Sequence, residues 1–284
     1  MNKKPILLIH GGATSNKKDH GRKELVQKSL KMIVEKIFPL LKKGLSADRA
    51  VVLAVEMLEN DPLFNAGLGS KIQSDGKIRM SASLMSGRRR RFAGCLNVQR
   101  IKNPIFLAEK LLEFDSRVLS EKGAERFARE AGLAFSSPFT KQQIDVFKKK
   151  KMKSKYGTVG AVVLDKNGFL AAATSTGGRG MEYPHRVSDS PTAAGNWANR
   201  KCAVSATGIG EEIVEQAVAS SICVLVDNKM SLDKAAGYIV KNAKRRGAQF
   251  GFIAVDHRGK VAVKTTTEGI IWAMASAKGF KISP

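Results

Sequence analysis

Gly157-Thr158-Val159-Gly160-Ala161-Val162-Val163-Leu164, then Asp165-Lys166-Asn167-Gly168, then Phe169-Leu170-Ala171-Ala172-Ala173-Thr174, is the stretch that decides the fold. Two apolar runs of strand length flank a short polar turn ending in Gly, which is the pattern of an antiparallel hairpin. The preceding segment is of the opposite character. From Ser136 to Tyr156 the chain is polar and basic, with Lys148-Lys149-Lys150-Lys151 extended by Lys153 and Lys155. It holds too little apolar surface to offset the entropy of ordering, so a mobile linker is expected over about 136–157.

The hairpin pattern recurs outward from this point. Ile72-Gln73 and Lys77-Ile78 flank Ser74-Asp75-Gly76, and Gly251 to Val255 and Val261 to Lys264 flank Asp256-His257-Arg258-Gly259. Further strands are expected over Ile6 to Ile9 and Ala203 to Thr207. Apolar residues at three- and four-residue spacing predict helices over 22–43, 46–58, 105–114, 121–131, 211–227 and 231–245. Ser46, Ser231 and the acidic pair Glu211-Glu212 mark helix starts. Strands and helices grouped in this way predict an α+β protein with antiparallel sheet inside and helices outside, in one domain.

With 284 residues and 43% hydrophobic content the chain can bury a sizeable core. No apolar run approaches the ~18 residues of a membrane span, and a soluble, cytoplasmic protein is expected. Cys95, Cys202 and Cys223 lack the spacing of a metal site or a disulfide framework and read as three reduced thiols. The formal net charge is +24, concentrated in the first half: residues 1–157 carry 33 Lys+Arg against 15 Asp+Glu, and residues 158–284 carry 16 against 10. Runs such as Arg88-Arg89-Arg90-Arg91 attract polyanions without sequence specificity. They lack interleaved aromatics and any helix-turn-helix or zinc-finger pattern, so each reads as a solvated loop.

A linker running into Thr158 at the head of an apolar strand puts that residue where cleavage would make it a chain terminus. A free N-terminal Thr carries nucleophile and base together, because its α-amine, with a reference pKa near ~7.7, takes the hydroxyl proton near neutral pH. No His-Asp relay is then needed, in a chain with four histidines and no Gly-x-Ser-x-Gly elbow. Thr is also a common strand residue, so spacing alone leaves an ordinary strand start open.

The surrounding motifs are more specific: Leu170 through Thr176-Gly177-Gly178, Arg186-Val187-Ser188-Asp189-Ser190-Pro191, Ala206-Thr207-Gly208-Ile209-Gly210-Glu211, and in the first half Ile9-His10-Gly11-Gly12-Ala13 and Phe64-Asn65-Ala66-Gly67-Leu68-Gly69. With these the chain resembles, over nearly its whole length, the plant-type L-asparaginase/isoaspartyl peptidase family of N-terminal-nucleophile (Ntn) hydrolases. The resemblance implies a four-layer αββα sandwich in a single domain, 1–284. It also implies self-cleavage between Gly157 and Thr158 into fragments 1–157 and 158–284, and an (αβ)₂ assembly. Carried over by position, it makes Thr158 the nucleophile and Thr176 the hydroxyl that orients and activates it. Thr207 and Gly208 become the oxyanion donors. Arg186 and Asp189 become the clamps for the substrate's α-carboxylate and α-ammonium, Gly210 a further backbone contact, and Asn65 a support for processing. His10 with Gly11-Gly12 reads as strand-to-turn packing rather than catalysis.

The same resemblance implies no organic cofactor and a structural sodium ion held by backbone carbonyls of Leu58, Glu59, Phe64, Ala66 and Leu68. The implied substrates are β-aspartyl dipeptides and, less centrally, L-asparagine. A glycosylasparaginase-like or taspase-like relative is the enzymatic rival, and an unprocessed homologue that binds acidic partners or nucleic acid through its basic half is the non-enzymatic one. The chain departs from the family at Ser81-Ala82-Ser83-Leu84-Met85-Ser86-Gly87, where serines stand at two usually acidic places, and at Ser116-Arg117-Val118-Leu119, which replaces a His-containing stretch. These departures bear on substrate preference and fragment association.

Overall fold

The computed structural model describes residues 3–14, 20–148 and 157–284. In chain order the elements are β1 (Ile6–Thr14), α1 (His20–Lys43), α2 (Ala47–Glu59), β2 (Met80–Ser86), β3 (Arg91–Val98), α3 (Pro104–Leu111), β4 (Val118–Ser120), α4 (Glu121–Glu130), α5 (Lys141–Lys148), β5 (Thr158–Leu164), β6 (Leu170–Thr176), β7 (Asn196–Ala198), β8 (Cys202–Gly208), α6 (Gly210–Glu215), α7 (Val218–Asp227), α8 (Leu232–Arg245), β9 (Phe250–Asp256), β10 (Val261–Thr265), β11 (Gly269–Ser276) and β12 (Gly279–Ile282).

The fold is mixed α and β, with two sheets. An eight-stranded sheet runs β12-β11-β1-β5-β6-β2-β3-β4, and a four-stranded sheet runs β10-β9-β8-β7. The 158–176 hairpin is the centre of the larger sheet, with Thr158 paired to Thr176 and Leu164 to Leu170. Both its strands are buried throughout, so they read as continuous apolar runs rather than as alternating ones.

Side-chain alternation on these strands sorts the core into three clusters. Val159, Ala161 and Val163 of β5, with Ala171 and Ala173 of β6, join residues of α1 to α4. Val162, Leu164, Leu170 and Ala172 point the other way and meet Ala203, Ile253 and Val255 of the smaller sheet. On its far side, Val204, Ala206, Phe250, Phe252 and Ala254 pack against Ile222, Ala235 and Ile239 of α7 and α8. Each fully buried Leu, Ile or Val contributes roughly 1.5–3 kcal/mol of transfer free energy, so these faces fix which way every strand residue points. Thr158 and Thr176 have the parity of Val162 and Ala172, and Thr207 that of Ala203. All three therefore face the gap between the sheets.

Helix starts follow the expected chemistry: Ser46 Oγ accepts from Arg49 N at 3.4 Å and Ser231 Oγ from Lys234 N at 3.4 Å. Three expectations change. The helix predicted over 211–227 is two, α6 and α7, separated at Ala217 in the left-handed region (φ 45). The second restarts because Ala219 N and Ser220 N bond the carbonyls of Ala194 and Ala193. Within the segment expected to be a linker, residues 141–148 form α5, whose Gln143 side chain bonds the Leu68 and Ser70 carbonyls. Residues 149–156, with the rest of the lysine run, lie outside the described residues. The 72–78 hairpin is a single bridge, Ile72 to Ile78.

Arg88 to Arg91 are exposed in and beside the β2–β3 turn, where Arg88 lies over Phe169 and Arg89 pairs with Glu113 and Asp48. All three thiols are free and buried. No described helix is long and apolar enough to cross a membrane.

Candidate active site

The mouth of the site is the start of β5. Gly157 adopts φ +150, and a Cβ there would stand 2.8 Å from Asn65 Cβ, so only glycine lets the chain pass Asn65 into the strand. Asn65 is itself fixed on three sides. Its Nδ2 donates to Gly178 O at 2.6 Å, its Oδ1 accepts from Lys71 N at 3.2 Å, and its carbonyl accepts from Gly177 N at 3.0 Å. The residue assigned to processing thus abuts the bond assigned to cleavage.

Thr158 is 6% and Thr176 4% exposed, and Thr158 Oγ1 donates to Thr176 Oγ1 at 3.2 Å. Thr176 Oγ1 in turn accepts from Gly178 N at 3.2 Å, which orients its lone pairs. Across the gap, Thr207 Oγ1 accepts from Ala13 N at 3.2 Å. That contact depends on an irregularity in β1: His10 pairs with Trp272, but Ala13 pairs with Ile270, so one extra residue is accommodated at Gly11-Gly12. The bulge lays Gly12 against the Gly157–Thr158 junction, where a Cβ would fall 3.2 Å from Gly157 Cα. The Gly-Gly pair therefore does more than pack a turn, and its role is invisible without strand register. His10 is fully buried, with Nε2 3.0 Å from Ser205 Oγ, and Ser205 Oγ is 2.8 Å from Thr174 Oγ1. Burial holds the imidazole down to about 3, so it is a neutral anchor for β8 at physiological pH.

Arg186, Asp189 and Gly210 converge at the end of β8. A Cβ on Gly210 would lie 2.9 Å from both Arg186 Nη2 and Asp189 Oδ1, so the glycine leaves open a space that both charged groups border. Asp189 is 2% exposed; its Oδ1 accepts from Ser188 Oγ at 3.0 Å, and its Oδ2 has no partner among the described residues. Burial pushes this carboxyl up to about 7. Oδ2 lies against Gly195, so it is Oδ1, with acceptor capacity beyond its bond from Ser188, that borders the space beside the guanidinium; such a pair suits the ammonium and carboxylate of an amino-acid head group. Arg186 also makes a contact missed by sequence reasoning, a two-pronged pair with Glu211: Nε to Oε1 and Nη2 to Oε2, each 2.7 Å.

The profile of the asparaginase family matches residues 3–282 of the sequence. The chain belongs to the asparaginase family. Among its relatives are the isoaspartyl peptidase/L-asparaginases of Synechocystis, 44% identical over 276 residues that cover 91% of this chain and 84% of the relative, and of Nostoc, 40% identical over 289 residues covering 95% and 91%. The isoaspartyl peptidase of Escherichia coli is 36% identical over 300 residues, covering 96% and 94%. The segment 58–68 is where the sequence resemblance leads us to expect a structural sodium ion. The Glu59 and Phe64 carbonyls accept no hydrogen bond among the described residues and both face the turn Gly67–Gly69, whereas the Leu58, Ala66 and Leu68 carbonyls accept from Asp61 N, Gly69 N and Gln143 Nε2. The Glu59 side chain is buried, accepts from Ser175 Oγ at 2.6 Å, and burial pushes its carboxyl up to about 8.

Proposed function

We propose that this chain is an autoprocessing amidohydrolase of β-aspartyl bonds, acting on isoaspartyl dipeptides and also on L-asparagine, with Thr158 as N-terminal nucleophile. The observation that carries this reading is the buried pair of Thr158 and Thr176 hydroxyls, 3.2 Å apart at the junction with Gly157. The αββα layering of an Ntn hydrolase, the (αβ)₂ assembly and a cytoplasmic location belong to the same reading. The names of the relatives supply the substrate class.

In processing, Thr158 Oγ1 attacks the Gly157 carbonyl, the peptide nitrogen leaves as the α-amine of Thr158, and water hydrolyses the resulting ester to a Gly157 carboxylate. In turnover, the freed amine takes the hydroxyl proton as Oγ1 attacks the substrate's β-carbonyl, and it returns that proton to the departing amine. Water then releases aspartate from the β-aspartyl ester. Thr207 Oγ1 and the Gly208 N–H serve the oxyanion, each such donor being worth about 3–4 kcal/mol in rate. Arg186 and Asp189 hold the α-carboxylate and α-ammonium, with Gly210 lending its backbone. A sodium ion fits the 58–68 loop because Glu59 and Phe64 offer hard carbonyl oxygens and the Ala66 and Leu68 carbonyls each keep a second lone pair, whereas the Leu58 carbonyl already accepts from Asn60 N and Asp61 N. It would stiffen the loop that carries Asn65, and no reaction step passes through it.

A panel of β-aspartyl-leucine, L-asparagine, glycosylasparagine and a folded protein tests the substrate class. Release of free aspartate from the dipeptide, with slower release from asparagine, is the expected result. Turnover confined to glycosylasparagine or to the protein would move the chain to a different branch of the same chemistry.

A further inference from the structure

The guanidinium of Arg186 is already engaged before any substrate arrives. Glu211 takes one edge of it, Nε and Nη2, through two bonds of 2.7 Å. A guanidinium has a second two-donor edge, Nη1 with the other Nη2 hydrogen, and among the described residues Nη1 has no hydrogen-bond partner. Gly210 keeps space open at Nη2, where an added Cβ would fall within 2.9 Å. Arg186 is 13% exposed and Glu211 50% exposed, so the guanidinium lies inside the site and the carboxylate at its rim. Glu211 also reaches Arg179 at 3.6 Å, and Arg186 together with Arg179 holds its carboxyl down to about 2.

We propose that Glu211 is a positioning residue for substrate recognition: it locks the Nε/Nη2 edge of Arg186 so that the Nη1/Nη2 edge is presented, pre-oriented, to the α-carboxylate of the aspartyl group. An unbraced Arg side chain has several rotatable bonds to freeze on binding, and a two-pronged partner removes most of that cost in advance. The brace also links two segments. Arg186 and Asp189 sit on the loop after β6, Thr207 and Gly208 at the end of β8, and Glu211 in the first turn of α6, so the pair ties the head-group clamps to the oxyanion strand. Its carboxyl titrates far below neutrality and stays charged throughout the working pH range.

This inference rests on the proposed β-aspartyl substrate, and the test separates the two. Steady-state kinetics are measured for wild type, Glu211→Gln and Glu211→Asp on β-aspartyl-leucine and on its analogue with the aspartyl α-carboxylate converted to an amide. Intact mass confirms equal cleavage at Thr158. Glu211→Gln is expected to raise KM for the dipeptide about tenfold with kcat within about threefold, and to leave KM for the amide analogue unchanged, so that discrimination between the two shrinks. Glu211→Asp is expected to fall between Gln and wild type. An unchanged or lower KM in Glu211→Gln would overturn the proposal, the lower value meaning that Glu211 competes with substrate for Arg186. Wild type that turns over neither compound would instead overturn the functional reading and this inference with it.

Discussion

Thr158→Ala is expected to leave the 157–158 peptide bond intact and to lower turnover of β-aspartyl-leucine by at least ~10⁴-fold. In the proposed mechanism the variant lacks the atom that attacks the Gly157 carbonyl, and without cleavage there is no α-amine to act as base. Folding is not at issue. Thr158 sits at the first position of a strand anchored on both sides, by β1 and by β6, and its truncation removes one methyl and one hydroxyl from the inter-sheet gap. A loss of about 1–2 kcal/mol in stability follows from such a change, too little to unfold the chain. Thr158→Ser is the control, since serine keeps hydroxyl and amine and should retain measurable cleavage and turnover. An Ala variant that still processes or still turns over substrate would show that another residue is the nucleophile.

Asp189→Asn should be the most damaging change outside the threonines, lowering kcat/KM by on the order of 10²–10³-fold. The carboxylate offers only acceptors to the substrate ammonium, whereas an amide turns one of them into a donor facing a cation. Asp189 also makes a pH prediction. Burial raises its carboxyl from 3.8 in the unfolded chain to about 7 in the folded one, so between those values the folded state binds more protons than the unfolded state. Stability therefore falls as pH rises through that window, and the fall is complete above about 7. Asparagine does not titrate. The difference in Tm between Asp189→Asn and wild type should accordingly move in favour of the variant from pH 4 to pH 8.

Activity runs the other way. In the proposed clamp the substrate ammonium needs the ionised carboxylate, so wild-type kcat/KM should climb toward neutrality on two acid limbs, one from Asp189 and one from the proposed Thr158 amine, whose reference value is ~7.7. Asp189→Asn should keep only the amine limb, and a profile unchanged in shape would remove Asp189 from the ammonium site.

Much of this site is legible in the sequence because its groups are local. Thr158, Thr176 and Thr207 lie on strands whose apolar runs and Gly-terminated turns announce themselves, and Asp165 closes its turn by accepting from Asn167 N and Phe169 N as the Asp-x-Asn-Gly spelling suggests. The β2–β3 hairpin escapes notice for a physical reason. Its turn is Gly87-Arg88-Arg89-Arg90, with Arg90 at φ 55 rather than a glycine or asparagine, and β2 is buried on both faces and shows no alternation. Strands β11 and β12 likewise lack a strong turn signal, although β11 pairs β1 along seven positions.

Within the site, what the sequence hides depends on three-dimensional register. The extra residue at Gly11-Gly12 aims Ala13 N at Thr207, and His10 meets Ser205 across 195 positions of chain. Nor does the helix-start reading of Glu211 disclose that its carboxylate grips Arg186. The break at Ala217 is similar, since only the carbonyls of Ala193 and Ala194, delivered by a distant loop, make a second helix start there worthwhile. Charge is legible in amount and not in purpose: the arginine run, three residues in the turn and Arg91 at the start of β3, is exposed, as its composition suggests.

The most direct measurement is intact mass of the purified wild-type chain, taken alongside its rate of β-aspartyl-leucine hydrolysis during maturation. Two fragments meeting at Gly157 and Thr158, with activity rising in proportion to the cleaved fraction, is the predicted result. Full activity from a chain whose 157–158 bond is unbroken would contradict it, because Thr158 would then have no free amine with which to accept a proton.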